Sequence, residues 1–218
     1  MKSYYAARAA EYDRIYAKPE RQDDLRSIEQ WLPGHFRARR VLEVACGTGH
    51  WTRFIAPVAA HVVALDAAPE TLAIARTRLP EGRVQFRVGD AYALPDEGGF
   101  DAAFAGFWIS HVPKSRLRQF LVGLHAAVRP GSPVVLLDNR YVEGSSSAIS
   151  GHDDEGNSYQ ERRLDDGSVH RVLKNFPTED ALRSVVAGLA EGIVFKEWLY
   201  YWAMLYATAA SPGATPRG

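Results

Sequence analysis

The sequence predicts an α/β fold in which a mainly parallel sheet is covered by helices on both faces. Three observations carry this. Five short apolar segments alternate with helical patterns through the first two thirds of the chain. Such continuous apolar runs are the mark of strands buried on both sides. A glycine turn or an acidic residue closes several of these segments. Two more strand candidates follow near the C-terminal end.

The elements read in order. Residues 40–44 are a short apolar strand that runs into the turn Ala45-Cys46-Gly47-Thr48-Gly49. Residues 51–59 have a helical pattern, with Pro57 implying an early end. Residues 61–65 are a second apolar run closed by Asp66. A helix over 69–79 starts at Pro69 and offers Leu72, Ile74, Ala75 and Leu79 for packing. Residues 84–88 alternate as a strand does and precede Gly89-Asp90. The fourth strand spans 100–107. A helix over 115–128 follows, with Leu117, Phe120, Leu121, Leu124 and Val128 on one stripe, and Arg129-Pro130-Gly131 stops it. Residues 133–137 form the fifth strand, leading into Asp138. Pro177 and Thr178-Glu179-Asp180 open a last helix, and the strand candidates 193–198 and 200–206 close the fold.

Residues 140–175 break the rhythm. They are polar and rich in turn signals, and 159–164 and 168–173 are expected to pair as a hairpin about Asp166-Gly167. A connection of this length is commonly functional. It is read as an inserted substrate-facing cap, with a plain surface hairpin as the alternative. Residues 1–30 are read as a helical lid, and 211–218 as a disordered tail on a single domain spanning 1–210.

Composition excludes several classes. The 218 residues are 46% hydrophobic and 24% charged, and Lys+Arg and Asp+Glu both number 26. No net field draws nucleic acid or an anionic membrane. The cluster Arg37, Arg39 and Arg40 reads as a solvated surface patch. The single cysteine allows no intrachain disulfide, and neither a signal core nor a bilayer-length apolar run is seen. A cytoplasmic protein is expected. His152 and His170 lack partners at metal-ligand spacing, so no metal site is expected.

A glycine turn after a strand lets the backbone approach a ligand closely, because glycine has no Cβ. Gly47 and Gly49 would equally suit a nicotinamide dinucleotide, and Asp66 can accept from ribose hydroxyls in either case. Glu43 inside the first strand, Gly89-Asp90 after the third and the two late strands are not required by a dinucleotide site.

With these features the chain resembles the class I S-adenosylmethionine-dependent methyltransferases of the small-molecule type. The run from Glu43 to Gly49 is similar to the family's acidic-x-Gly-x-Gly-x-Gly, and Asp66 and Asp90 match its acids after the second and third strands. Phe100-Asp101 and the turn from Val128 to Gly131 also match. Ala45 stands where the family often has its first glycine, and is accommodated if its φ is negative. The resemblance implies a Rossmann-like three-layer αβα sandwich, with a seven-stranded, mostly parallel sheet and an antiparallel last strand. It implies S-adenosylmethionine as cofactor and S-adenosylhomocysteine as product.

The cofactor residues it implies are Glu43, Ala45, Cys46, Gly47, Gly49, Asp66, Ala67, Asp90, Ala91 and Tyr92, together with Tyr16, His50 and Phe107. Glu43 would orient the turn or meet the ligand's ammonium. Asp66 would accept from ribose, and Asp90 from the adenine amino group. On a leading helix Tyr5, Arg8, Tyr12 and Tyr16 would share a face over the cofactor. Acceptor-side candidates are Tyr12, Trp108, His111, Asn139 and Arg140, with His111 as general base. The reaction expected is methyl transfer to an O or N atom of a small molecule. A nicotinamide-dependent oxidoreductase and a non-catalytic methyltransferase-like partner subunit are the alternatives. Neither a nucleic-acid nor a membrane partner is expected, and a homodimer is admitted.

Overall fold

The central sheet is assembled around the strand that precedes the glycine turn. The computed structural model describes residues 9–79, 82–95 and 99–209, with side chains from residue 13 onward. In chain order the strands are β1 (Arg40–Val44), β2 (His61–Asp66), β3 (Val84–Val88), β4 (Ala102–Gly106), β5 (Pro133–Asn139), β6 (Ile149–His152), β7 (Ser158–Arg163), β8 (Val169–Leu173), β9 (Ala190–Glu197) and β10 (Tyr201–Thr208). The helices are α1 (Gln22–Trp31), α2 (Thr52–Ile55), α3 (Pro69–Arg78), α4 (Lys114–Ala126) and α5 (Glu179–Val186). Seven strands form one sheet in the order β3-β2-β1-β4-β5-β10-β9, and β6-β7-β8 form a second. β10 runs antiparallel to both β5 and β9, and the other pairs in the large sheet are parallel. The seven-stranded, mostly parallel αβα architecture with an antiparallel last strand is therefore present.

Side-chain alternation explains why helices cover both faces. Leu42 and Val44 of β1 pack with Val63, Leu65, Ala103 and Ala105 on one side. Val41 packs with Val62, Ala64, Ala102 and Phe104 on the other. Both sets are buried, so neither face tolerates water. The chain moves outward in one direction through β2 and β3 and in the other through β4 and β5. The reversal between β1 and β4 leaves a crevice at their C-terminal ends, where ligands of open α/β sheets sit.

Several elements differ from their sequence expectations. The helix expected over 51–59 is a single turn, α2, continued by loose turns to Pro57. The fourth strand starts at Ala102, with Phe100 making only an isolated bridge to Val128. The polar insertion holds the expected hairpin, β7 paired with β8, but also a third strand, β6, which its glycine-containing sequence did not signal. Of the leading helix, residues 9–16 are a 3-10 helix and residues 1–8 lie outside the described residues. The shared face expected of Tyr5, Arg8, Tyr12 and Tyr16 falls largely outside the described residues. Thr178 caps α5 as expected, its hydroxyl accepting from the Ala181 N–H at 3.3 Å. Among the described residues no helix is long and apolar enough to cross a membrane.

Candidate active site

The glycine turn is held by its neighbours' backbones and by one carboxylate. The Cys46 N–H donates to Leu65 O at 2.9 Å, and the Gly49 N–H to Cys46 O at 3.0 Å. Asp66, at the tip of β2, accepts from the Gly47 N–H at 2.8 Å through Oδ2. Its Oδ1 accepts from the Ala68 N–H at 2.9 Å and the Thr71 hydroxyl at 3.1 Å. Burial raises the Asp66 carboxyl above the ordinary carboxylate value, and the N–H donors oppose that rise.

Ala45 adopts φ +58°, not the negative φ expected of an alanine in the first-glycine position. Left-handed backbone costs a non-glycine residue roughly 1–2 kcal/mol. Phe107, just past β4, has the same φ of +58°. The two strained residues stand on either side of the crevice. Gly49 serves helix packing: a Cβ there would come within 3.1 Å of Leu79 and 3.2 Å of Ala75.

A cavity of about 260 Å³ opens at the strand tips. Ala45, Asp66, Ala67, Asp90, Ala91, Tyr92, Phe107 and His111, all singled out from sequence, line it. Trp108 also lines this cavity rather than the acceptor side where it was expected. Asp90 Oδ1 accepts from the Tyr92 N–H at 3.0 Å. Arg116 was not anticipated. Its guanidinium lies 3.7 Å from the Tyr92 ring centroid, and it lines the cavity from α4, where the sequence shows only one more polar helix residue.

Glu43, Cys46, Gly47, Gly49, His50 and Tyr16 lie behind or beside the cavity and do not line it. Glu43 is buried beneath the turn at 1% exposure. Burial pushes its carboxyl up to about 8, and Asp66 nearby adds to the rise. Tyr16 stacks on His50 with ring centroids 3.4 Å apart and planes at 2°, and meets Phe107 at 5.6 Å. The side chain of Tyr12 lies outside the described residues.

A second, smaller cavity of about 90 Å³ adjoins the first across Phe107 and His111, which line both. The N-terminal segment supplies Lys18 and Arg21, the tip of β5 supplies Asn139, and the insertion supplies Gln160, Arg162 and Lys174. Of these only Asn139 was expected. Arg140 is directed elsewhere: its Nη1 donates to Trp198 O at 2.7 Å and its Nε pairs with Glu197 at 3.3 Å. Backbone alternation puts Asn139 and Arg140 on opposite sides of the chain, so only one can face the cavity.

His111 is fixed at the junction. Its Nδ1–H donates to Leu173 O at 2.7 Å, since a carbonyl oxygen only accepts. The lone pair is therefore on Nε2. Burial, reinforced by the Lys174 ammonium, lowers its pKa to about 3. The imidazole is neutral at physiological pH.

The fold, the switch-point crevice and the acids after β2 and β3 define a nucleotide-type ligand site on an αβα sheet. Residues 41–131 match a family model described as a methyltransferase domain. The ubiquinone biosynthesis O-methyltransferase of Xanthomonas campestris pv. campestris (strain B100) is 32% identical over 178 residues, covering 77% of this chain and 69% of that one. The demethylmenaquinone methyltransferase of Clavibacter sepedonicus is 31% identical, covering 60% of this chain and 57% of that one. The chain spans about half the length of the first curated relatives it matches. Among solved structures, the DhpI-SAH complex superposes with a TM-score of 0.79 at 29% identity, covering 95% of this chain and 94% of that one. The chain belongs to the S-adenosylmethionine-dependent methyltransferases, and S-adenosylmethionine is its cofactor. The nicotinamide alternative is set aside.

Proposed function

We propose that this enzyme transfers a methyl group to an oxygen or nitrogen atom of a small-molecule acceptor. The observation that carries this is the pair of cavities meeting at Phe107 and His111. The larger has the walls of a nucleoside site, and its aromatic faces at Tyr92, Phe107 and Trp108 favour a cationic sulfonium. The smaller is polar and has room for a small molecule only. The relatives named for quinone methylation agree with a small acceptor.

When bound, S-adenosylmethionine supplies an electrophilic methyl carbon. In this reading Asp66 and Asp90 use their remaining acceptor capacity toward the ribose hydroxyls and the adenine amino group. Asp66 keeps the Gly47 N–H as well, which ties the turn's position to the ribose site. Phe107 and His111 hold the acceptor in line at the junction and exclude water. Residues 13–30 and the insertion together form the roof. Arg14 makes a two-pronged contact with Asp165 at 2.7 and 2.6 Å, which joins the two segments.

Calorimetry with S-adenosylhomocysteine tests the cofactor half. Asp66→Ala is expected to weaken binding at least tenfold, and unchanged affinity would refute the assignment. Transfer of labelled methyl to a panel of small acids, phenols and amines tests the acceptor half. Label appearing only on nucleic acid or protein would overturn it.

A further inference from the structure

The smaller cavity carries a charge pattern that the methyltransferase fold does not require. Lys18, Arg21, Arg162 and Lys174 all line it, and among the described residues no carboxylate does. Two acids lie close by. Asp138 is committed to Lys174 at 3.1 Å and to the Ser110 hydroxyl at 2.9 Å. Glu20 accepts from the Ser145 hydroxyl at 2.7 Å and lies 4.0 Å from Lys18.

Arg21 makes the argument sharpest. It is 5% exposed, yet its side-chain hydrogen bonds go to neutral oxygens, Asn139 Oδ1 and Ser145 Oγ, each at 3.0 Å. Among the described residues no carboxylate lies within ion-pair distance of it. The Tyr200 and Tyr201 rings lie 5.1 and 5.7 Å from its guanidinium carbon, but a buried guanidinium with no anion in direct contact is costly, and an entering ligand can supply that contact. Arginine's planar fork suits the oxygens of a carboxylate or phosphate-type group.

We propose that the smaller cavity is an oxyanion subsite and that the acceptor enters as a small carboxylate or phosphate-type anion held by Arg21, with Lys18, Arg162 and Lys174 around it. This deepens the function proposed above and rests on that assignment of the cavity to the acceptor. A lone pair of the anion's oxygen forms the new O–CH₃ bond. The methyl–sulfur bond breaks with its electron pair going to sulfur. The acceptor loses one negative charge, so a carboxylate becomes a neutral ester and a phosphate-type dianion a monoanionic ester, while the sulfonium becomes a neutral thioether, and no proton has to leave the acceptor.

The test is calorimetric titration of the protein, saturated with S-adenosylhomocysteine, with inorganic phosphate and separately with acetate. Saturable binding of either probe is expected, and its identity distinguishes the two anion types. Arg21→Gln is expected to weaken it at least tenfold, with Arg21→Lys retaining part, while S-adenosylhomocysteine affinity stays as in wild type. Lys18→Gln provides the same comparison at a half-buried position. Undiminished anion binding in both Gln variants, or no binding of either anion to wild type, would overturn the subsite. Methylation of a neutral phenol or amine at equal rates in wild type and Arg21→Gln would overturn it too, while leaving the methyl-transfer reading standing. Failure of the wild-type protein to bind S-adenosylhomocysteine would instead strike the cofactor site.

Discussion

One buried acid and one buried histidine show how residue environment governs this site. Glu43 has its carboxyl raised to about 8 by burial, whereas an unfolded glutamate titrates near 4.5. The folded state therefore holds a proton that the unfolded state releases between these values. The contribution of Glu43 to stability is full below about pH 4.5 and declines as pH rises toward 8. Glu43→Gln is expected to abolish that decline, gaining roughly 3–5 kcal/mol over wild type at pH 9 and little at pH 4, as read by urea denaturation. His111 behaves differently, because it is already neutral. Its charged neighbours are Lys174, Asp138 and Arg162. His111→Ala is expected to lower kcat about 10- to 100-fold by loosening the junction, uniformly from pH 6 to pH 9. A wild-type limb near neutral pH that vanishes in the variant would instead make His111 a proton acceptor of ordinary basicity. The sequence marked Glu43 and His111 as important, but their protonation states come from burial, which no residue name reveals.

The insertion shows the same division at the level of elements. Its hairpin was legible, since Asp166-Gly167 and alternating flanks specify a local turn and register. Its attachment was not. Lys174, just past β8, reaches Asp138 at the tip of β5 and the Ser110 hydroxyl at 2.6 Å. Asn175 donates its backbone N–H to Ser110 O at 2.7 Å, and Asn157 accepts from the Lys114 N–H at 2.8 Å. Burial alone would raise the Asp138 carboxyl, but the Lys174 ammonium and the N–H groups of Ser110 and Asn139 turn it downward. Asp138→Asn would leave Lys174 buried beside a neutral amide. The expected cost is about 3–5 kcal/mol in a denaturant titration, with β6–β8 losing hydrogen-exchange protection first. A change below 0.5 kcal/mol would mean that this pair does not hold the insertion down.

For the whole molecule, the crevice exists because strand order reverses between β1 and β4 under two roofing segments. Ligand binding to the native state then stabilises the fold by mass action. S-adenosylhomocysteine at 100 times its Kd is expected to add about 2.7 kcal/mol and raise Tm by roughly 5 °C, whereas NADH should add nothing. An equal shift with NADH would contradict a site specific for the adenosyl thioether.

The chain's own pattern determined the sheet and the larger cavity. Apolar runs, a glycine turn and acids at strand ends are local signals, and β1, β2 and β3 place them side by side by simple succession. Tertiary structure alone decided the smaller cavity. Arg21 meets Asn139 across 118 positions of sequence, and Lys174 meets Ser110 across 64. Such residues look like ordinary surface charges in a linear reading, because a chain with no net charge conceals where its charges gather. Only folding concentrates them, by bringing cations from two separate segments around one space.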